Sequence, residues 1–269
     1  MSSSKGTALI TGASAGIGAT YADRLARRGY DLILVARDKD KLAASAKKLA
    51  SETGVKVDVL PADLTKKADL VRVEDKLAND SAIALFVNNA GIVGPPATVG
   101  ADRDELEKVI ALNITAATRL AAAAATAFAS RKRGAIVNLS SAVAYIPERF
   151  GSAYGASKAY VLHLSQSLDH ELKDKGVQVQ AVLPGLTRTE IFDRAGIDIS
   201  MLDPNAVMDV DELVDAALVG FDKHELVTIP SLPDVADYQA IEAARGKLVP
   251  NLSRNHPAER YKKSASRAA

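Results

Sequence analysis

The chain of 269 residues has no cysteine, which excludes disulfides and thiolate metal sites. It lacks a dominant charge as well, with 34 basic side chains set against 33 acidic ones. Nothing electrostatic therefore points to a nucleic-acid or anionic-membrane partner. The opening residues, Met-Ser-Ser-Ser-Lys-Gly, carry no apolar signal core, and no run reaches the ~18 apolar residues of a membrane span. A cytoplasmic protein with no membrane partner is expected. The histidines His163, His170, His224 and His256 share no metal-ligand spacing, so no metal site is expected. Internal repeats and linkers rich in Pro, Gly or Ser are absent, which favours one domain over 1–269.

What is present is a regular alternation. Short, nearly continuous apolar runs mark strands at Thr7–Ile10, Asp31–Val35, Val55–Leu60, Ile83–Val87, Ala135–Leu139, Val177–Leu183 and Leu226–Ile229. Such runs suit parallel strands covered on both faces. Helix-like segments separate them at Gly18–Arg28, Lys39–Glu52, Lys66–Asn79, Asp102–Ser130, Ser152–Lys175 and Asp211–Gly220. Gly29, Gly54, Gly134 and Gly176 fall where helices should end in left-handed caps. The pattern predicts an α/β fold: a single-domain, Rossmann-type, doubly wound parallel sheet of about seven strands with helices on both faces. Residues 187–210 are irregular and apolar, as a substrate lid would be. Residues 231–269 read as a C-terminal extension with a short helix around Val235–Gly246.

Between the first strand and helix lies a turn holding Gly12, Gly16 and Gly18. In a βαβ unit such a turn sits at the carboxyl edge of the sheet, where the next helix presents unpaired N–H groups. Glycines there let backbone approach a pyrophosphate. No Gly-Lys-Ser/Thr follows, so a Walker-type loop is excluded. Further on, Tyr154 and Lys158 are four residues apart on a predicted helix, which puts them on one face with Cβ atoms about 5–6 Å apart. A free phenol has a pKa of about 10; a neighbouring ammonium favours the phenolate. Alone, such a pair would more often be a solvated helix face than chemistry.

Taken together, "TGASAGIG", "NNAG" at Asn88–Gly91, Asn113 within "ALNIT", Ser140–Ser141, "YGASK" at Tyr154–Lys158 and "PGLTRT" at Pro184–Thr189 resemble the short-chain dehydrogenase/reductase family. The resemblance runs from about Lys5 to Ile229 and is silent on substrate. It implies that Tyr154 exchanges a proton with a carbonyl or alcohol oxygen. Lys158 would lower the phenol pKa and bind nicotinamide ribose, Ser141 would hold the carbonyl oxygen, and Asn113 would hold a relay water. The lesser alternative for Asn113 is a polar residue on an exposed turn, and Ser140 is expected to face the sheet.

The cofactor contacts implied are Gly12, Ser14, Gly16, Ile17, Gly18, Arg37, Asp63, Leu64, Asn89, Ala90, Gly91, Pro184, Gly185, Thr187 and Thr189, with Tyr154 and Lys158. Asn88 is expected to tie strands together, and Thr189 to serve as a helix cap, a ligand contact or both. Ala36 stands where family members selective for NAD carry Asp, and Arg37 follows it. A guanidinium pairs with a 2′-phosphate that a carboxylate would repel. NADP(H) is therefore favoured over NAD, although Asp38 complicates the reading. The substrate would be a small carbonyl or alcohol compound, lined by Val143, Tyr145, Phe150, Leu186, Phe192 and the lid up to Met208.

Family members commonly associate as homodimers or homotetramers through the helix holding the alanine run Ala121–Ala125 and the catalytic one. Two alternatives stand beside a ketone or aldehyde reductase: a 3-oxoacyl thioester reductase and a non-catalytic NADP-binding regulator. The basic turn Ser130–Gly134 is either solvated or a dock for an acidic carrier protein.

Overall fold

The computed structural model describes residues 5–148, 151–189 and 202–262. Seven strands form one parallel sheet: β1 (Thr7–Thr11), β2 (Asp31–Ala36), β3 (Val57–Pro61), β4 (Ile83–Asn88), β5 (Gly134–Leu139), β6 (Val177–Val182) and β9 (Val227–Thr228), in the order β3-β2-β1-β4-β5-β6-β9. The chain winds outward from β1 to β3, then returns to start again at β4 on the other side of β1. The strand order reverses there, and that is where such sheets bind ligands.

Side chains alternating along each strand build two cores. Leu9, Phe86 and Ile136 point to one face, where they pack with Leu77 of α3 (Lys67–Asn79), Leu120 and Phe128 of α5 (Ala117–Arg131) and Leu168 of α6 (Ser152–Leu172). Ile10, Leu34 and Val137 point to the other, against Tyr21 of α1 (Gly16–Arg27), Leu42 of α2 (Lys39–Thr53) and Leu213 of α7 (Val210–Asp222). The buried residues of a helix recur at intervals of three and four, as Leu70, Val73 and Leu77 of α3 do, the spacing of one helix face.

Several local features differ from the sequence expectation. The left-handed residue ending α5 is Lys132 (φ 54°), not Gly134. Gly134 instead opens β5 at φ 143°, where a Cβ would lie 2.4 Å from the Phe128 ring. Glycine is needed there for close packing. The segment expected as one helix from Asp102 divides into α4 (Arg103–Ile110), a π-helical turn (Ala111–Ala116) and α5. The stretch Arg103–Arg131 is also long and apolar enough, by length and composition, to cross a membrane, contrary to the reading of no such run. Its apolarity comes from alanines, and Ala121, Ala124 and Phe128 are buried against the sheet.

Within the expected lid, β7 (Leu186–Thr187) pairs in parallel with β8 (Val207–Met208); residues 190–201, with Phe192, lie outside the described residues, as does Phe150. The chain folds as two compact units, Met1–Ser231 and Leu232–Ala269. The second holds α8 (Val235–Leu248), none of whose residues is buried.

Candidate active site

A cavity of about 950 Å³ opens at the carboxyl ends of the strands, at the upper end of the ~300–1,000 Å³ of small-molecule sites. Gly12, Ser14, Ala15, Gly16 and Ile17 form one wall. No side chain caps α1, whose N-cap is Ala15, so its first N–H groups are available to a ligand. Gly18 does not line the cavity. It lies beneath the turn, where a Cβ would meet the Gly12 carbonyl oxygen at 2.4 Å and Asn89 Nδ2 at 2.5 Å. Its place in the site is to let α1 close onto β1.

Behind the turn, Asn89 Nδ2 donates to the Thr11 carbonyl at 2.8 Å, and Thr11 Oγ1 accepts from the backbone N–H of Asn89 and of Ala90. The side-chain amide of Asn89 thus holds the β1 and β4 ends together, while Ala90 and Gly91 line the cavity beside it. Asn88, as expected, ties elements: its Nδ2 donates to Ala117 O at 2.9 Å and to Asn138 Oδ1 at 3.0 Å.

At the end of β2, Ala36, Arg37 and Asp38 line the cavity, opposite Asp63 and Leu64. Asp38 caps α2, its Oδ1 accepting from the Lys41 backbone N–H at 3.0 Å. The carboxylate that complicated the sequence reading is thereby committed to the helix. Burial would raise the Asp63 carboxyl, but hydrogen bonds from Thr65 and the charges of Arg37 and Lys66 prevail and hold it below its ordinary value.

Tyr154 and Lys158 share a face of α6, with Lys158 Nζ 5.7 Å from the centre of the phenol ring. The Ser141 hydroxyl has two acceptors within reach and one proton to share: it donates to Pro184 O at 3.2 Å, or turns to the Tyr154 hydroxyl. Lys158 Nζ donates to Leu139 O at 2.9 Å. Ser140 turns away, donating to Lys158 O at 2.7 Å. Asn113 is buried on the π-helical turn, a distortion often found at functional sites. Its Nδ2 donates to Ile92 O at 2.8 Å and Ser157 Oγ at 3.0 Å, and its Oδ1 accepts from the Ile92 N–H at 2.9 Å. Ser141, Tyr154 and Lys158 line one end of the cavity; Asn113 does not line it but lies behind Gly91, where an added Cβ would contact both Asn113 Oδ1 and Lys158 Nζ. Pro184, Gly185, Thr187 and Thr189 close the wall beside them. Thr189 Oγ1 donates to Thr187 O at 3.3 Å.

The electrostatics depart from the sequence expectation. Burial pushes the Tyr154 phenol up to about 12, against a smaller lowering by the Ser141 hydrogen bond. Lys158 supplies no lowering that offsets this, and burial brings its own pKa down to about 8. A low dielectric disfavours both charged forms.

A pH dependence follows. Between pH 8 and 10.5 the folded chain has released the Lys158 proton that an unfolded lysine keeps, so stability rises with pH across this window. The penalty relieved is on the order of 3 kcal/mol. Thermal melts of wild type and Lys158→Met should diverge steadily in favour of wild type from pH 8 to 10. A constant difference would refute the burial effect.

Leu202, within the expected lid, lines the cavity; sequence reasoning missed Val93, Ile146 and Lys41 among the lining residues, and it wrongly included Tyr145 and Met208. Met208 packs on the core instead. The basic turn Ser130–Gly134 lies at the amino end of β5, at the sheet edge opposite the cavity, with Arg131 donating to Asp80 O and Ile83 O.

Residues 6–199 match the short chain dehydrogenase family. Among solved structures, a short-chain dehydrogenase from Sphingobium yanoikuyae in complex with NADPH is 54% identical (TM-score 0.93) over 96% of this chain and 100% of that one. A bulky-bulky ketone specific alcohol dehydrogenase from Comamonas testosteroni is 49% identical (TM-score 0.89), covering 96% and 99%. The inactive hydroxysteroid dehydrogenase-like protein 1 of Homo sapiens is 33% identical over 68% of this chain and 56% of its own length. The chain thus spans little more than half of that curated relative.

Proposed function

The chain belongs to the short chain dehydrogenase family, and on that footing we propose that it is an NADP(H)-dependent oxidoreductase interconverting a bulky, apolar ketone and its secondary alcohol. One observation carries the reading: the Tyr154 hydroxyl rests on that of Ser141, with Lys158 beside it, at the floor of a cavity whose far wall is the glycine turn. The residues fit a dinucleotide, since the end of α1 is uncapped and Gly12 and Gly18 leave no room for a Cβ. A bound NADPH would supply hydride to the carbonyl carbon.

The protein's own part is to position and protonate. Tyr154 gives its proton to the carbonyl oxygen, and Ser141, turning its hydroxyl proton from Pro184 O, donates a hydrogen bond to the same oxygen as charge develops. Burial keeps the phenol protonated near neutral pH, which suits reduction over oxidation. Lys158, anchored by Leu139 O, has further N–H groups for nicotinamide ribose. Val93, Val143, Ile146, Leu186 and Leu202 wall the substrate end, and the C. testosteroni enzyme's ketone specificity supports a bulky substrate. Asn113 holds the Ile92 segment and α6 in register. Self-association as a homodimer or homotetramer belongs to the same reading, through α5 and α6.

The basic turn does not favour a carrier-bound substrate, because it lies at the wrong sheet edge. NADPH oxidation measured over aromatic and branched ketones, aldehydes and acyl thioesters tests the proposal, with turnover expected on the bulky ketones. A chain stabilised by NADPH that consumes none with any carbonyl would be a regulator. Arg37→Ala should weaken NADPH binding about thirtyfold, roughly a bidentate charge-assisted contact, and NADH binding far less. Equal losses would overturn the preference for NADP(H).

A further inference from the structure

The loop that follows β4 packs against two helices at points where only glycine fits. Gly94 has a left-handed φ of 73°, and a Cβ there would lie 2.3 Å from Val109 Cγ2 on α4. Gly151, the N-cap of α6, has a φ of −60°, which any residue could adopt. A Cβ on it would nevertheless lie 2.2 Å from the Pro95 carbonyl oxygen and 3.3 Å from the carbonyl carbons of Pro95 and Pro96. Glycine is needed at 151 because the loop comes so close, not because of the helix backbone. Beside this contact the hydroxyls of Thr98 and Ser152 share a hydrogen bond. The loop is thus clasped to the first turn of the helix that carries Tyr154 as its third residue.

The near end of the loop is held as well. Asn113 brackets Ile92 with two hydrogen bonds and donates to Ser157 Oγ. Ser157 in turn donates to Tyr154 O at 2.7 Å. Between the two attachments lies Val93, which lines the cavity with Ile92. Proline fixes its own φ and restricts the residue before it, so Gly94-Pro95-Pro96 moves as one stiff piece. The helix is the firmer side, because Lys158 Nζ donates to Leu139 O and Lys158 O accepts from Ser140. Strain at the clasp therefore displaces the loop and Val93, while Tyr154 stays.

We propose that Gly151, together with the Thr98–Ser152 clasp, fixes the distance of Val93 from Tyr154 and so selects the bulk of the ketone that is reduced. This rests on the ketone reductase reading above. Thr98, Gly151 and Ser152 do not line the cavity themselves. They are positioning residues that act through Val93.

The test is kcat/KM over a homologous series of aryl alkyl ketones, from ethyl to pentyl, with NADPH as reductant. It compares the full-length wild type, Gly151→Ala and the double variant Thr98→Val/Ser152→Ala, and NADPH affinity is titrated separately. The alanine Cβ needs about 1 Å more room to reach ordinary contact with Pro95 O, which moves the loop away from α6 and widens the cavity. Gly151→Ala should raise the pentyl-to-ethyl ratio of kcat/KM about tenfold, roughly the worth of one methylene in an apolar pocket. The double variant should move the ratio the same way by about threefold, the worth of one hydrogen bond. NADPH affinity should stay as in wild type. Gly151→Ala decides where it folds; otherwise the double variant, which adds no bulk, decides. A wild type that reduces ketones beside a variant that keeps its ratio overturns the proposal alone, even where all rates fall together, since a uniform loss would mean that the clasp only supports α6. A loss of NADPH affinity that accounts for the loss of activity overturns it too. A wild type that reduces no ketone overturns the reductase reading, and the proposal with it.

Discussion

Replacing Tyr154 by phenylalanine should lower turnover about a thousandfold, within the range of a lost general acid, and leave NADPH affinity nearly unchanged. The substitution is clean because of what surrounds the hydroxyl. Phenylalanine keeps the ring, which lies 5.7 Å from Lys158 Nζ. Ser141 keeps two other partners, donating to Pro184 O and accepting from the Val143 N–H at 3.4 Å, so no buried polar group is orphaned. Ser141→Ala is a poorer probe, because it also removes the tie between the end of β5 and Pro184. The readouts are steady-state NADPH oxidation and a separate NADPH titration. Residual activity above about a tenth of wild type would be incompatible with a proton donor worth even the lower limit of such catalysis. Retained NADPH binding beside lost turnover would also separate this failure from simple loss of the cofactor site.

The sheet was legible in the sequence because a parallel strand covered on both faces must be apolar at nearly every position, as in Ile83–Asn88. The candidate site was legible where a residue type is demanded by backbone or chemistry, as at Gly12, Tyr154 and Lys158. What escaped depends on contacts between distant segments. The π-helical turn around Asn113 leaves no mark in hydrophobic period, and it is stabilised by Ile92 and Ser157, 21 and 44 residues away. Gly134 reads as a helix cap until its distance to Phe128 is known. Asp38 reads as a rival to Arg37 until its bond to the Lys41 N–H shows it to be a cap. The sign of the Tyr154 pKa shift was also misjudged, because two charged groups on one helix face suggest attraction. Burial of the whole pair outweighs it.

Gly18→Ala should destabilise the fold by about 1–3 kcal/mol, as overpacking does, and weaken NADPH binding at least about a hundredfold. On helix propensity alone the change should help, since alanine exceeds glycine by about 1 kcal/mol within a helix. Packing reverses the sign. The new Cβ would sit 2.4 Å from the Gly12 carbonyl oxygen and 2.5 Å from Asn89 Nδ2. Neither neighbour can retreat freely: Gly12 belongs to the turn itself, and the Asn89 amide is already committed to Thr11 O at 2.8 Å. Relief must come from lifting α1 away from β1, which moves the turn's N–H groups from the positions where a pyrophosphate would meet them. Gly54→Ala is the matched control. It sits at φ 74° with nothing within 4 Å of the added Cβ, so it should cost about 1–2 kcal/mol for the left-handed backbone and leave NADPH affinity alone. Thermal melts and NADPH titrations of the two variants, side by side, separate a general loss of stability from a displaced turn. If Gly18→Ala bound NADPH as wild type does, the close junction of α1, β1 and Asn89 would not be what shapes the phosphate cradle.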